Sequence, residues 1–345
     1  MIRVDYAGPG GTCEGLRMVG LGDRAVGIEW DAAACATRAA AGHLTIRADL
    51  ATYRPHHAPG SVEGYWASPP CQTFSSAGKG DGRDQLDALG LAILGEDWAA
   101  ADGFDSRTRH VLDAARTAVE LHPEWIGMEQ VPAVLPLWRA LAHVLERHGY
   151  STWAGVLCAA DYGVPQTRDR AFLMASRVRC VHPPTPTHAE TPGLFGERPW
   201  VSMAAALGWP SAYAVKERRG AGMVERHGDR SPVPATAPYP TLTGGEDRRR
   251  YILDRRQTGA PLVDVGANPC PTLTGAAVGR GVWRLTEDGA VRVITVAEAL
   301  TVQSFRPDYP VTGNKASQHL QIGNAVPPLM AAHVVAALAG RVVPS

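Results

Sequence analysis

Short apolar runs alternate with amphipathic, alanine-rich stretches through the first half of the chain. Met1 to Tyr6 reads as a strand that opens into Gly8-Pro9-Gly10-Gly11, and Cys13 to Val19 reads as the helix behind it. Ala25 to Trp30 predicts a second strand, followed by a helix over Asp31 to Ala41 with Asp31 near its N-cap. Val62 to Ala67 is a further strand, Arg109 to Leu121 a helix by its apolar spacing, and Trp125 to Met128 a strand. Val134 to His148 predicts a helix closed by Gly149, and Trp153 to Ala159 with Ala171 to Ser176 a strand pair around Tyr162-Gly163-Val164-Pro165. Strand and helix in regular alternation predict an α/β protein with a Rossmann-like, doubly wound, mostly parallel sheet.

The pattern changes after Arg179. From His182 to about Thr286 the chain is rich in Pro, Gly and Arg and lacks long helical periods, as a small inserted domain or a set of linked loops would. It holds a repeat, Pro240-Thr241-Leu242-Thr243-Gly244 and Pro271-Thr272-Leu273-Thr274-Gly275. Alternation resumes with Val291 to Ile294, a helix over Val296 to Gln303 and another beyond Pro328. Ala77 to Arg107 is a glycine-bearing loop segment with one helix at Leu86 to Leu94, the kind of long loop that serves as a lid or as a solvated insertion.

With 345 residues there is room for one large core and a smaller domain. The 34 basic residues balance the 34 acidic ones, so affinity for nucleic acid has to come from a local patch. All but Lys79, Lys216 and Lys315 of the basic residues are arginine, which suits bidentate phosphate and guanine contacts. Cys13, Cys35, Cys71, Cys158, Cys180 and Cys270 form no Cys-x-x-Cys pair, which disfavours a metal site and a disulfide scaffold. The N-terminus runs straight into a strand, without signal-peptide character, and the apolar stretch from Leu329 to Val343 is too short to span a bilayer. A cytoplasmic protein is expected.

Candidate chemistry gathers at predicted strand ends. Pro69 and Pro70 deny the ladder two donors, so the chain leaves the sheet at its carboxyl edge, where ligands bind in open α/β sheets. Cys71 follows, as a nucleophile or as a small buried hydrophobe. The glycine turn precedes a helix N-terminus, a place for a polar ligand, although a full Gly-x-Gly-x-x-Gly fingerprint is absent. Glu29, at the end of the second strand, stands where a carboxylate accepts both hydroxyl protons of a ribose. Asp49 is an acceptor for an adenine amine or a plain turn residue. Gln166, Arg168 and Arg170 alternate, so in extended chain they share one face.

These segments, in order, resemble the cytosine-5 DNA methyltransferases: Asp5 to Gly11, Glu29-Trp30, Asp49-Leu50, Pro70-Cys71-Gln72, Glu129-Gln130-Val131, Gln166 to Arg170 and Gln321 to Pro327. The resemblance implies transfer of a methyl group from S-adenosylmethionine to carbon 5 of a cytosine flipped out of double-stranded DNA. Cys71 would add to carbon 6, Glu129 would hold or protonate ring nitrogen 3, and Arg168 and Arg170 would converge on the same pocket. It further implies a cofactor site from Tyr6, Ala7, Gly8, Pro9, Gly10, Gly11, Glu29, Trp30, Asp49, Leu50, Pro70, Asn324, Ala325 and Val326. DNA contacts would come from Gln72, Ser75, Lys79, Gln166, Thr241, Thr243, Gly244, Thr272, Thr274 and Gly275. By the same resemblance, residues 1–182 form the catalytic domain, 183–288 a target-recognition domain, and 289–345 return to complete the catalytic domain. A monomer in a bacterial cell or a phage-infected host, with a companion restriction endonuclease, completes the expectation. An RNA (tRNA) cytosine-5 methyltransferase and an inactive DNA-binding relative are the alternatives. One residue departs from the pattern: Gln130 stands where the family usually has asparagine.

Overall fold

The computed structural model describes residues 1–53, 62–74, 82–193, 196–208 and 294–344, together with the backbone of strands at 214–218, 233–234, 250–253, 270–271, 283–285 and 291–293. The chain divides into two compact units. The first comprises Met1–Leu157, Asp169–Thr185 and Pro328–Ser345, and the second Cys158–Arg168 and Pro186–Pro327.

The first part of the chain runs β1 (Ile2–Asp5), α1 (Gly11–Met18), β2 (Ala25–Glu29), α2 (Ala32–Ala40), β3 (Leu44–Arg47), β4 (Gly64–Ala67), α3 (Leu86–Leu94), α4 (His110–Leu121), β5 (Trp125–Gln130), α5 (Leu135–Arg147), β6 (Ser151–Cys158), β7 (Gln166–Thr167) and β8 (Asp169–Ser176). Seven of these strands form one sheet in the order β3-β2-β1-β4-β5-β8-β6. β1 to β5 pair in parallel, and β8 lies antiparallel to β5, with Glu129 opposite Phe172 and Gln130 opposite Ala171. The sheet is therefore mixed. β5 extends two residues beyond the predicted Met128, because Glu129 and Gln130 still have a ladder partner in β8.

β1, β4 and β5 are buried along their whole length, as central strands covered on both faces are. Ile126, Met128, Tyr65 and Leu173 pack with Leu89, Leu112, Leu137, Trp138 and Leu141 from α3, α4 and α5. Asp31 caps α2 as its position suggests, accepting from Ala34 N at 2.8 Å. The same face of β1 carries a polar pair: Arg3 donates to both oxygens of buried Asp5 at 2.7 and 3.0 Å, and the Tyr65 hydroxyl donates to Asp5 Oδ2 at 3.1 Å. On this unit's other side α1 crosses α9 (Pro328–Ala339) at Gly15. A Cβ there would lie 2.7 Å from both Ala331 Cβ and the Pro328 carbonyl, so glycine is what permits the crossing.

In the second unit, β11 (Ala214–Arg218) pairs antiparallel with β12 (Val233–Pro234) and β13 (Arg250–Leu253), and β15 (Trp283–Leu285) with β16 (Val291–Val293). β14 (Cys270–Pro271) runs parallel to β7, with Pro271 opposite Thr167. Two shorter strands, β9 (His188–Ala189) and β10 (Arg198–Pro199), pair with each other ahead of α6 (Met203–Leu207). α7 (Val296–Val302) starts at a capping box of Thr295 and Glu298, and α8 (Lys315–Asn324) at an Asn314 cap. The Gln303 amide donates to the Ile322 carbonyl at 2.9 Å and ties the end of α7 to α8.

The unit division differs from the expected boundaries at 182/183 and 288/289: residues 158–168 and 294–327 group with the second unit, and only the stretch from Pro328 groups with the first. Lys315 to Ala339 is long and apolar enough to cross a membrane by length and composition alone. Its most apolar window is 72% buried in the protein, and α8 and α9 are separate helices within it.

Candidate active site

The chain leaves β4 at Ala67 through Ser68, Pro69 and Pro70, and Cys71 follows half-buried at the carboxyl end of the sheet. A turn closes behind it, with Phe74 N donating to the Cys71 carbonyl at 3.1 Å and the Phe74 ring fully buried. The adjacent strand supplies the clamp. Gln130, buried to 1% exposure, donates through Nε2 to the Pro69 carbonyl at 2.8 Å and the Pro70 carbonyl at 3.0 Å, while its Oε1 accepts from Val131 N at 2.6 Å. The departure from asparagine thus puts a longer amide on the two carbonyls before the cysteine.

Glu129 precedes it on β5. Arg170 Nε donates to Glu129 Oε1 at 2.9 Å, with both side chains at most a tenth exposed. Gln166, Arg168 and Arg170 are all buried, with Thr167 half-buried and Asp169 exposed between them, the alternation expected of extended chain. The two arginines have different partners, however. Arg170 holds Glu129 within the first unit, whereas Arg168 Nη1 donates to the Gly323 carbonyl of α8 at 3.2 Å within the second. Gln166 is fully buried, and among the described residues neither its Oε1 nor its Nε2 has a partner. A buried amide left open at both ends is costly without a ligand or water.

The other cluster lies at the ends of β1, β2 and β3. Gly8 and Gly10 adopt φ values of 51° and 113°, and Gly10 stands as the N-cap of α1. Glu29 is engaged more heavily than its place at a strand end suggested. Its Oε1 accepts from Trp30 N at 2.9 Å and Asp31 N at 2.8 Å, and its Oε2 from Gly8 N at 2.8 Å. Of roughly four lone-pair sites on a carboxylate, three are in use, so the expected double acceptance of ribose hydroxyls has about one site available. Trp30 beside it is 72% exposed. Asp49 is exposed in a turn, its Oδ1 accepting from Ala51 N at 2.9 Å and its carbonyl from Thr52 N and Tyr53 N, with Leu50 half-buried. Tyr6 opens the turn at φ 53°, and burial followed by the charges of Asp113 and Asp5 pushes its phenol well above the ordinary range. In the second unit, Asn324 is exposed at the end of α8, and Ala325 and Val326 are buried.

Gln72 is half-buried, and its Oε1 has no partner among the described residues. Ser75, Lys79, Thr241, Thr243, Gly244, Thr272, Thr274 and Gly275 lie outside the described residues. Two contributors escaped the sequence reading. Arg38, fully buried on α2, donates to the Ala7 carbonyl at 3.4 Å, the Leu44 carbonyl at 3.2 Å and Thr45 Oγ1 at 3.0 Å, beneath the glycine turn. His110, at the start of α4, meets the Tyr6 hydroxyl at 3.3 Å. The only sequence signal for Arg38 was its oddity in a run of alanines.

A mixed sheet with one antiparallel strand beside β5, a glycine turn after β1 and an acidic residue after β2 define a methyltransferase of the Rossmann-like class. The chain belongs to the C-5 cytosine-specific DNA methylase family, which it matches over residues 6–192 and 244–340. It is similar to the Type II methyltransferase M1.HphI of Haemophilus parahaemolyticus, 28% identical over 96% of this chain and 85% of the relative. The Type II methyltransferase M.AplI of Arthrospira platensis is 29% identical over 94% and 81%. Among solved structures, S. pombe Dnmt2 methyltransferase shares the fold at a TM-score of 0.59 and 16% identity, covering 99% of both chains. Entamoeba histolytica methyltransferase EhMeth does so at 0.57 and 13%, covering 98% of both. The protein is a DNA (cytosine-5) methyltransferase, and the family's chemistry runs through a covalent cysteine adduct.

Family and fold imply S-adenosylmethionine as the methyl donor. The residues present fit such a molecule. A Cβ added at Gly8 would meet nothing within 4 Å, so open space borders the turn, and the Glu29 carboxylate, with about one acceptor site left, and the exposed Trp30 ring stand next to each other at the end of β2.

Proposed function

We propose that Cys71 is the nucleophile and that this chain methylates cytosine in double-stranded DNA. The observation that carries the proposal is the clamp of Gln130 on the Pro69 and Pro70 carbonyls, which ties the cysteine loop to the strand end that bears Glu129. Carbon 5 of cytosine is a poor nucleophile. Addition of the Cys71 thiolate to carbon 6 pushes electrons onto the ring and makes carbon 5 reactive. Glu129 meets the charge that develops at ring nitrogen 3, and Arg170 on Oε1 fixes the carboxyl in place for that contact. S-adenosylmethionine, when bound, supplies the methyl group that carbon 5 takes. Loss of the carbon 5 proton then lets the Cys71 sulfur leave and restores the aromatic ring.

Tyr6 to Gly11, Glu29, Trp30, Asp49, Leu50 and Pro70 form the cofactor pocket in this reading. A carbon inside a duplex is out of reach, so the target base is flipped out. Residues 183–288 read the flanking bases. In support, the second threonine-glycine repeat begins at Pro271, whose backbone is paired with Thr167 in the Gln166 to Arg170 segment. The relatives are named Type II methyltransferases, and a place in a restriction-modification system, with a companion endonuclease, is proposed for this chain.

Duplex DNA carrying 5-fluorocytosine at the target tests the reaction, because fluorine cannot leave carbon 5 as a cation. The protein should be trapped as an adduct that survives denaturing gels, requires S-adenosylmethionine and vanishes in Cys71→Ala. Methylation of ordinary DNA without any adduct would overturn the assignment of Cys71. Trapping by tRNA but not by duplex DNA would replace the substrate.

A further inference from the structure

We infer that His110 is a cofactor-binding residue whose Nε2 accepts a hydrogen bond from the ammonium group at the amino-acid end of S-adenosylmethionine, an inference that rests on the cofactor pocket proposed above. The tautomer follows from its neighbours. His110 Nδ1 lies 3.2 Å from Asp113 Oδ2, an acceptor, so Nδ1 carries the hydrogen. The Tyr6 hydroxyl, 3.3 Å from the same nitrogen, therefore donates elsewhere, and the His110 carbonyl at 3.2 Å receives it. In the neutral imidazole that tautomer leaves Nε2 with a bare lone pair. Among the described residues no donor reaches it, and the side chain is 15% exposed.

Position and charge both select the ligand group. The imidazole stands edge-on to the Tyr6 ring, with centroids 5.3 Å apart, so it belongs to the wall of the glycine turn after β1. Glu29 follows β2 and Asp49 follows β3, and the sheet order is β3-β2-β1-β4. A nucleoside recognised over β2 and β3 directs the remainder of the cofactor toward β1 and β4, past Tyr6 and His110 and in the direction of Cys71. The surroundings favour a cation. Arg109 is shared between Asp113 and an exposed Asp102, and beyond burial the charges of Asp113, Asp5 and Asp49 all raise the pKa of the Tyr6 phenol. Arg3 is already committed to Asp5. An alkylammonium donor satisfies the bare nitrogen and offsets the surplus negative charge.

Calorimetric titration of the full chain with S-adenosylhomocysteine, and with its deaminated analogue in which hydrogen replaces the ammonium, tests this without turnover. His110→Leu should weaken S-adenosylhomocysteine about tenfold, the size of a lost charge-assisted hydrogen bond, and leave the deaminated analogue unchanged. His110→Gln, which keeps an acceptor oxygen, should recover most of the loss. Equal losses for both ligands would show that His110 only shapes Tyr6, and unchanged S-adenosylhomocysteine affinity in His110→Leu would remove its contact; either result overturns the inference alone. Failure of the unaltered chain to bind S-adenosylhomocysteine would overturn the pocket and the inference together.

Discussion

Gln130→Leu separates a positioning role from plain core packing. The change leaves the Pro69 carbonyl, the Pro70 carbonyl and Val131 N without their partner. An abandoned buried polar group costs about 1–3 kcal/mol. Water reaches half-buried Pro70, and leucine is the better buried side chain, so the net cost is about 2–4 kcal/mol. The larger effect falls on chemistry. A reacting group misplaced by about 1 Å loses on the order of a hundredfold in rate, so kcat should fall by that much while S-adenosylhomocysteine binds as before. Gln130→Asn is the finer probe. Removing one methylene withdraws the donor by about 1.5 Å, which puts at least one carbonyl beyond hydrogen-bond range. Gln130→Asn should therefore slow this chain, although the fluorocytosine adduct still forms. Single-turnover methyl transfer, urea unfolding and the rate of Cys71 alkylation read these effects separately. Wild-type turnover together with wild-type alkylation in Gln130→Leu would refute the clamp.

Glu29→Ala and Asp49→Ala should both weaken S-adenosylmethionine, by about 1.5–3 kcal/mol each in a calorimetric titration. Only Glu29→Ala should also lower the melting temperature, because it strips three backbone amides of their acceptor while Asp49 is exposed. His319 predicts a pH effect: burial, followed by the charge of Lys315, lowers its pKa to about 4 from 6.5. The unfolded chain then binds the proton more readily, so stability is full above about pH 6.5 and declines as pH falls toward 4, by about 2 kcal/mol at pH 5. Urea unfolding at pH 7 and pH 5 should show that difference in the unaltered chain and lose it in His319→Leu; an equal slope in both would discard the effect.

The sequence was most legible where local chemistry decides. Asp31 announces the start of α2 through its own side chain, and the Leu86 to Leu94 helix appears with the bounds its apolar spacing predicts. The alternation of Gln166, Arg168 and Arg170 also survives, since it depends only on extended backbone. What the local pattern does not contain is the partner. Arg170 with Glu129 and Arg168 with Gly323 are contacts across 41 and 155 positions, set by how strands and helices stack. Glu29 was legible as a carboxylate at a strand end, but its three amide donors come from the path of the glycine turn. The place of β8 between β5 and β6 is invisible for the same reason, because an antiparallel insertion leaves no periodic trace of its neighbours.

The crossing of α1 and α9 at Gly15 also constrains the order in which the protein can be made. α1 follows the turn proposed to line the cofactor pocket, yet the helix that covers it is Pro328–Ala339, separated from α1 by more than three hundred residues of chain. On a ribosome, the earlier strands and local helices can form first, but one face of α1 stays bare until Pro328–Ala339 emerges. A contact of such sequence separation is expensive in loop entropy and closes late. Until then the exposed face is a natural docking site for chaperones, and a nascent chain has no completed methyl-donor pocket. Activity is thereby withheld until Pro328–Ala339 has been made, and with it the section proposed to choose the target, which precedes it in the chain.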